Sequence, residues 1–354
     1  MNHNKIPVVI IGAGGYVGAE FIRLISTHPS VSLRVATSDS LAGQRVDNVM
    51  PHLRGAVGNL TFTRIDTVGA FIQSVARCVL LSAAPHGGAA TVIDECMTIA
   101  ENNGCALTVV DASADFRYHD AGAYEAVYGQ PHGAPHRLDA FQSAVPELYE
   151  ASDAEHIGHP GCFATAQQLG IAPLLASNVV EPRFFTNGIT GATGAGKTPL
   201  ATTHTPERHS NLFAYKSLSH RHAPEVVQQL SDATGKKPQV HFTPHSGPFA
   251  RGIHMTINAI ANTRITDASL KAIFEDTYRD APFVRIVDGM PRLKSVVGSN
   301  FADIGVTTDG DAVTVCVVID NLLKGAAGGS VQWMNRLLGF DETEGLLQAS
   351  IGWT

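Results

Sequence analysis

The sequence predicts an α/β fold in which a second, α+β domain is inserted into a domain built on a parallel sheet. Short apolar strands alternate with helical patterns over the first third of the chain, as in crossover units. The middle contains strands with polar alternation, such as HMTINAI, which are typical of mixed or antiparallel sheets. From residue 321 the chain again contains a glycine-rich segment followed by a helical pattern, as it does near the N-terminus. We therefore predict one domain from residues 1–160 and 321–354 and a catalytic, substrate-binding domain from residues 161–320.

The composition excludes several classes of function. A net charge of −7 provides no basic surface for nucleic acid or for an anionic membrane. No segment approaches the ~20 consecutive apolar residues of a membrane helix. The cysteines are odd in number and contain no C-x-x-C pair, and the histidines form no H-E-x-x-H pattern. We therefore expect a cytoplasmic protein without a metal site, and neither a nucleic acid nor a membrane as partner.

The first predicted strand, residues 6–11, runs directly into a glycine turn and then into the helical pattern AEFIRLIS. This is the context of a Rossmann-type dinucleotide-binding turn, in which N–H groups at the helix start face the pyrophosphate. The strict G-x-G-x-x-G pattern fails because position 17 is valine, and the glycines follow G-x-x-G-x-x-G instead. The residues of the turn predicted to contact a dinucleotide are Gly12, Gly14, Gly15, Tyr16, Val17 and Gly18.

The second predicted strand, residues 31–37, ends where a dinucleotide domain selects its cofactor. An acidic residue about 20 positions after the glycines binds the adenosine ribose of NAD, whereas hydroxyl groups suit the 2′-phosphate of NADP. Asp39 favours NAD, while the hydroxyls of Ser38 and Ser40 favour NADP. These residues leave the cofactor open.

Two further strands, residues 78–83 and 107–113, flank a helix predicted over 89–101. Ligands bind at the carboxyl ends of such strands, which are followed here by Ala84-Pro85 and by the segment containing Arg117. The Arg117 guanidinium is a candidate anion clamp, and the alternative is a salt bridge with Asp115 or Asp120. The loop-rich residues 118–158 are predicted to cover a cofactor rather than to form core.

The stretch HPGCFATAQQLG places Cys162 after a Pro-Gly turn, at the start of a helical pattern. A helix N-terminus lowers a thiol pKa from about 8.5 and favours the nucleophilic thiolate. The alternative is a small buried apolar residue. Two histidines, His220 and His222, stand just before a second helix and could exchange protons with the thiol. Glu225 is placed to orient His222 on the first turn of that helix.

Residues 191–198 match the phosphate-loop pattern G-x-x-x-x-G-K-[ST], and VCVVID at 315–320 resembles its partner strand. A true phosphate loop opens an amphipathic helix, but here Pro199 and a polar stretch follow. We therefore disfavour a nucleotide-hydrolysing enzyme and retain a glycine loop whose N–H groups hold an anion. Beyond it, QVHFTPHSG and GIHMTINAIA are predicted as an antiparallel pair of strands, with Arg251 between them.

The motifs IIGAGGYVGAE, DASADFR, VPELYE, HPGCFATA, HRHAPE and DNLLKGAAGGSVQWMN, in this order, resemble the N-acetyl-γ-glutamyl-phosphate reductases of arginine biosynthesis. That family is similar in architecture to aspartate-semialdehyde dehydrogenase. The resemblance implies NADPH-dependent reduction of an acyl-phosphate substrate through a thioester on Cys162, in a homodimer or homotetramer. His222 is implied as general base and acid, supported by His220 and Glu225.

The resemblance also implies the remaining contacts. Those to the cofactor are the glycine turn, Ser38, Ala84, Pro85, Gly194 and Asn321, and those to the substrate are Ser113, Arg117, Gly191, Tyr215 and Arg251. The chain departs from the family at His159, at Asp39, where many members carry arginine, and in the 191–211 loop. These departures leave NAD possible and leave the acyl group open between N-acetyl, N-succinyl and an aminoadipyl relative.

Overall fold

The computed structural model describes residues 5–150 and 154–352, which belong to two compact units. The first unit combines residues 1–144, 150–159 and 327–346, and the second combines 145–149, 160–326 and 347–354. The domain boundaries suggested by the sequence stay a prediction. Among the described residues, no helix has the length and apolar character needed to cross a membrane.

The first unit contains a six-stranded sheet in which every pair of neighbouring strands is parallel, in the order β2-β1-β3-β4-β6-β5. The strands are β1 (Ile6–Ile11), β2 (Val31–Ala36), β3 (Arg77–Ser82), β4 (Ala106–Asp111), β5 (Phe141–Gln142) and β6 (His156–Gly158). The helices are α1 (Tyr16–Ser26), α2 (Val46–Val49), α3 (Thr67–Gln73), α4 (Ala89–Asn103), α5 (Ala121–Tyr128) and a C-terminal helix (Gly328–Leu337). The predicted α/β class with a parallel sheet is confirmed.

The C-terminal helix packs on α1 and β4 of the first unit. Its Trp333 is fully buried, and the indole N–H donates to the carbonyl of Ala144 over 2.8 Å. Asn335 on the same helix contacts His28 Nε2 over 3.0 Å. An indole is buried without cost only where its N–H finds a partner, so these contacts fix the helix on the sheet.

Residues 118–158 are not the cover predicted from their loop-rich composition. They contribute α5, β5 and β6, and Phe141 stacks on Phe116 with 3.8 Å between ring centroids. Tyr124 and Ile157 are also buried. The prediction was wrong because strands of two and three residues are too short for a periodic pattern to indicate them.

The second unit contains a mixed seven-stranded sheet in the order β11-β12-β13-β10-β7-β9-β8. Its elements are α6 (Cys162–Ser177), β7 (Arg183–Thr190), α7 (Thr205–Arg208), β8 (Phe213–Ala214), α8 (His222–Thr234), β9 (Gln239–Ser246), β10 (Ile253–Ile260), α9 (Asp267–Thr277), β11 (Val284–Ile286), β12 (Ala302–Thr308) and β13 (Ala312–Ile319). Two pairs, β11 with β12 and β7 with β9, are parallel, and the other pairs are antiparallel. The predicted mixed sheet is confirmed.

The predicted pairing of β9 with β10 is wrong, because β7 lies between them. Strand β10 is antiparallel to β7, with Met255 opposite Gly188, while β9 is parallel to β7. The six residues between β9 and β10 suit a hairpin as well as a crossover. The alternation in β10 therefore indicated a strand with one buried face, but not its neighbour.

Helix α6 is buried along most of its length, with 13 of its 16 residues inside. It packs against α8, α9, β10 and β13. Pro173 lies within the helix and cannot donate to the carbonyl of Leu169, four residues earlier. The hydroxyl of Tyr278 donates to that carbonyl over 2.6 Å. The side chain of Tyr278 thus replaces the missing helical hydrogen bond and stabilises the helix that begins at Cys162.

Candidate active site

The glycine turn between β1 and α1 has the backbone that its sequence predicts. Gly12 has a φ of 70°, and a Cβ there would clash with the carbonyl of Ala83 at the end of β3. A Cβ on Gly18 would lie 2.5 Å from the Cα of Ala13. Glycine at position 12 thus lets the turn pass close to the end of β3. Glycine at position 18 lets α1 pack close to the residue that follows the β1–turn junction, Ala13.

The start of α1 is open to an anion. Its N-cap is Gly15, no side chain caps the helix, and Tyr16 and Val17 form its first turn. A Cβ on Gly14 would lie 2.7 Å from Ser38 Oγ, so the turn borders the residue that follows β2. Uncapped N–H groups at a helix N-terminus hold phosphate, and this turn therefore fits a dinucleotide.

The carboxylate of Asp39 accepts a hydrogen bond from the backbone of the segment before α3. Its Oδ1 accepts from the N–H of Ile65 over 3.1 Å. The hydroxyls of Ser38 and Ser40 lie 3.5 Å apart beside it. The side chain that favours NAD in the sequence is therefore engaged with backbone, while the hydroxyl of Ser38 borders the glycine turn.

The loops after β3 and β4 are held by acidic side chains. Asp115 accepts from the N–H groups of Gly87 and Ala90, over 2.7 and 3.0 Å, and so caps α4. Ser113 donates its hydroxyl to Asp111, whose pKa burial raises to about 6. Ala84 lies against Gly12, and Pro85 is exposed.

Arg117 is buried, with 4% of its surface exposed, and binds main-chain carbonyls. Its Nε donates to His159 over 2.9 Å and its Nη2 to Ala112 over 3.0 Å. Asp120, one of the salt-bridge partners considered from the sequence, caps α5 through the N–H of Ala123. Arg117 thus holds the backbone before Pro160, and its role as an anion clamp stays a prediction.

Cys162 is the first residue of α6, as its position after Pro160-Gly161 predicts. The N-cap Gly161 is extended, and the helix has no side-chain cap. The thiol is partly buried. Positive charge at the helix N-terminus stabilises a thiolate at this position, which is the arrangement expected of a nucleophile.

The two predicted histidines lie together in an aromatic cluster that includes Phe163, the residue after Cys162. The ring of His220 is 4.7 Å from that of His222 and 5.7 Å from that of Phe163. The Nδ1 of His220 accepts from the backbone N–H of His222 over 3.2 Å. Burial, with help from the charges of Arg221 and Lys216, lowers the pKa of His220 to about 4. His220 is therefore neutral near pH 7 and holds the backbone at the start of α8.

Tyr215 joins this cluster through its ring, which lies 5.8 Å from that of His220. Burial and the nearby Cys162 thiolate raise the pKa of Tyr215. The connecting backbone carries positive φ values at Lys216 and Leu218. Such values are uncommon outside glycine and are often found where function requires a particular loop conformation.

Glu225 has a contact that its sequence position did not predict. The carboxylate is fully buried, and Oε1 accepts from the N–H of Gly161 over 2.7 Å. It therefore ties the first turn of α8 to the turn that carries Cys162. The predicted role in orienting His222 stays a prediction.

Residues 191–198 do not form a phosphate loop. The segment contains a 3-10 turn (Ala192–Ala195), and its backbone N–H groups are already used: Gly191, Ala192 and Thr193 donate to carbonyls of 249–252 over 2.8 to 3.1 Å. These donors are not available to an anion, which argues against the anion-holding loop retained from the sequence. Gly194 is exposed at the tip and donates to Gly191.

Arg251 and Asn321 hold the ends of the strands together. Arg251 binds Asp320 with both Nε and Nη2, over 3.0 and 3.2 Å. Asn321 accepts from the N–H of Gly252 over 2.6 Å and donates to Thr193 over 3.0 Å. The charge of Arg251 is thus balanced by Asp320, which argues against its predicted use as a carboxylate contact. A cofactor role for Asn321 stays a prediction.

Gly325 is a site residue that the sequence analysis missed. It lies in a π-helical turn (Leu323–Ala327), and a Cβ on it would be 2.7 Å from the Cβ of Cys162. The adjacent Lys324 is fully buried in an ion pair with Glu147. The small residues of LKGAAGG were the available signal, because π-helical turns and close approaches are frequent at functional sites.

Gly325→Ala is expected to lower kcat by roughly 100-fold, because a displacement of about 1 Å at a reacting group costs that much. Steady-state kinetics measure this loss. Gly69→Ala is the matched control, since its Cβ would lie 2.8 Å from Ile99 Cδ1 in the first unit, whereas Cys162 belongs to the second. The control should lower thermal stability and spare turnover. Equal kcat values in the two variants would contradict a role for close packing behind Cys162.

Two family models match the chain. Residues 7–141 match the NAD-binding domain of semialdehyde dehydrogenases, and residues 162–321 match their dimerisation domain. The chain is similar in fold to aspartate semialdehyde dehydrogenase II of Vibrio cholerae, with a TM-score of 0.68 at 16% identity over 95% of this chain and 99% of that one. It is also similar to the Candida albicans enzyme solved with NADP, with a TM-score of 0.67 at 15% identity over 95% and 99%.

Sequence relatives extend over nearly the whole chain. An N-acetyl-γ-glutamyl-phosphate reductase of Methanosarcina acetivorans is 39% identical over 96% of this chain and 98% of its own length. A Pseudomonas fluorescens protein of the same name is 39% identical over 98% and 99%. With a cysteine at a helix start, a histidine cluster beside it and a dinucleotide turn in the other unit, the chain belongs to the N-acetyl-γ-glutamyl-phosphate reductases of the semialdehyde dehydrogenase family.

Proposed function

We propose that this chain reduces N-acetyl-γ-glutamyl phosphate to N-acetylglutamate semialdehyde, with release of phosphate and use of NADPH. The observation that carries the proposal is the partly buried thiol of Cys162 at the N-terminus of α6, whose next residue, Phe163, packs against the rings of both His220 and His222. Family membership supports the reaction class. The products place the enzyme in arginine biosynthesis.

In the first step Cys162 attacks the acyl-phosphate carbon as a thiolate. His222 takes the thiol proton, a carbon–sulfur bond forms, and the carbon–oxygen bond to phosphate breaks. In this proposal the backbone N–H of Cys162 at the start of α6 stabilises the oxyanion that develops on the carbonyl. Exchange of phosphate for sulfur leaves a thioester that carries less negative charge.

When it is bound, the reduced nicotinamide supplies a hydride to the thioester carbon. The resulting tetrahedral oxyanion collapses, the carbon–sulfur bond breaks, and the aldehyde leaves. His222 then returns its proton to the Cys162 thiolate, which restores the starting thiol. The Gly12–Gly18 turn and the uncapped start of α1 are the residues that would hold the cofactor phosphates.

We propose NADPH rather than NADH as the cofactor because of the side chains that follow β2. The Asp39 carboxylate is bonded to the N–H of Ile65, and the hydroxyls of Ser38 and Ser40 are the groups that suit a 2′-phosphate. We also propose a homodimer or homotetramer, supported by the dimerisation-domain match over 162–321. The five free cysteines support the reducing cytoplasm as its location.

A substrate panel tests the proposal in the oxidative direction. The semialdehydes of N-acetylglutamate, N-succinylglutamate and N-acetylaminoadipate are each combined with phosphate and with NADP or NAD, and reduced nicotinamide is followed by absorbance. N-acetylglutamate semialdehyde with NADP is expected to have the highest kcat/KM. No reduction with any aldehyde, or reduction that does not need phosphate, would contradict the reaction. A higher kcat/KM with another aldehyde or with NAD would contradict the proposed substrate or cofactor.

A further inference from the structure

Arg208, at the end of α7, is a buried cation whose charge no acidic side chain balances. Only 8% of its surface is exposed. Its Nη1 donates to Ser246 Oγ over 2.6 Å, and its Nη2 donates to the carbonyl of Gly247. Within residues 5–150 and 154–352, no aspartate or glutamate forms an ion pair with it.

This arrangement is costly unless an anion is added to it. A guanidinium does not lose its proton in a protein, and a charge removed from water needs an opposite charge or a full set of hydrogen bonds. Burial lowers the pKa of Arg208, which reflects this cost. Lys324, which is also buried in this unit, pairs with Glu147, and the half-buried Arg251 pairs with Asp320. Arg208 differs from both in having only a hydroxyl and a carbonyl as partners.

Arg208 is linked through β9 to Tyr215, which belongs to the aromatic cluster of His220 and Phe163. Ser246 ends β9, and the carbonyl of Pro244 on the same strand accepts from the N–H of Tyr215 over 3.0 Å. Arg208 and Tyr215 thus bind residues two positions apart on β9. Tyr215 in turn packs on His220, whose ring contacts Phe163, the neighbour of Cys162. A chain of contacts therefore links Arg208 to Phe163 through β9, Tyr215 and His220.

We propose that Arg208 binds the α-carboxylate of the substrate, an assignment that rests on the proposed function. The acyl phosphate is attached to the carbon that Cys162 attacks, so its phosphate must lie beside the thiol. The α-carboxylate is the anionic group at the other end of the glutamyl chain. Because the contacts that link Arg208 to Phe163 pass through β9, Tyr215 and His220, we assign Arg208 to the distant group rather than to the leaving phosphate. It replaces Arg251 as the carboxylate contact.

A comparison of two ligands in two proteins tests this assignment. The wild type and Arg208→Gln are assayed with N-acetylglutamate semialdehyde and with its α-carboxamide analogue, in the presence of phosphate and NADP. A hydrogen bond to a charged group changes affinity by about 10- to 100-fold, so the wild type should prefer the carboxylate by that factor in kcat/KM. In Arg208→Gln the preference should fall to within a few-fold, with an unchanged KM for phosphate.

Binding provides a readout that does not depend on turnover. Calorimetry with N-acetylglutamate and its α-carboxamide should show the same preference in the wild type and its loss in Arg208→Gln. Arg208→Lys retains the charge and should retain part of the preference for the carboxylate. If the glutamine variant does not fold, a partly reduced preference in Arg208→Lys tests the assignment in its place. Lys197→Gln removes an exposed cation of the same loop region and should keep the full preference.

Three outcomes would overturn the assignment. The first is a full carboxylate preference in Arg208→Gln, and the second is a raised KM for phosphate with an unchanged KM for the aldehyde, which would place the phosphate on Arg208. The third is a wild type that binds both N-acetylglutamate ligands equally. Ligand binding with the expected preference but without any turnover would support Arg208 as a carboxylate contact and contradict the proposed reaction instead.

Discussion

Cys162→Ser is expected to abolish turnover while cofactor affinity stays within a few-fold of the wild type. Serine keeps the size of the side chain, but the helix N-terminus cannot lower a hydroxyl pKa enough to produce an alkoxide near neutral pH. Steady-state assays with NADP, semialdehyde and phosphate measure turnover. Fluorescence titration of NADPH measures binding by the same variant.

Cys316→Ser is the matched control, because burial raises the pKa of that thiol and it lies on β13 of the same unit. This variant should keep its activity. Alkylation should likewise select Cys162, since burial raises the pKa of Cys96 to about 12. Residual activity above a few per cent in Cys162→Ser, or an inactive Cys316→Ser, would be incompatible with a thioester on Cys162.

His222→Asn should reduce kcat by about 10²- to 10⁴-fold, the usual contribution of a general acid or base. His220→Asn should cost roughly tenfold or less. Since the pKa of His220 is about 4, protonated His220 becomes abundant only as the pH falls towards 4. A pH-dependence of kcat/KM between pH 5 and 8 is therefore not expected from His220. Asparagine keeps an acceptor for the N–H of His222, so the effect of His220→Asn should instead follow from the loss of the ring that packs on Phe163 and Tyr215.

The rate of Cys162 alkylation against pH, measured in both variants, separates the two histidines. His222→Asn should shift the profile to higher pH because its proton acceptor is gone, and His220→Asn should lower the plateau without moving the midpoint. An unchanged profile and turnover in His222→Asn, together with a shifted profile in His220→Asn, would reverse the two roles.

The sequence was sufficient wherever structure depends on neighbours along the chain. The strand at Ile6–Ile11, the glycine turn and α1 follow from a β-branched run, three glycines and a helical repeat, all within 21 residues. Cys162 begins a helix because Pro160 and Gly161 precede a run of small apolar residues. Pro199 likewise excluded a phosphate loop, because the helix that such a loop opens cannot form there.

Tertiary structure alone decided which distant side chains meet. Strand β7 separates β9 from β10, Glu225 binds the N–H of Gly161, and Gly325 lies against Cys162. Asp320 balances Arg251, whereas Arg208 is buried without an acidic partner among the described residues. Residue types and periodicity state which face of an element is buried, but not which segment covers it. Whether an arginine is available to a substrate depends on that covering segment, and so on the folded chain.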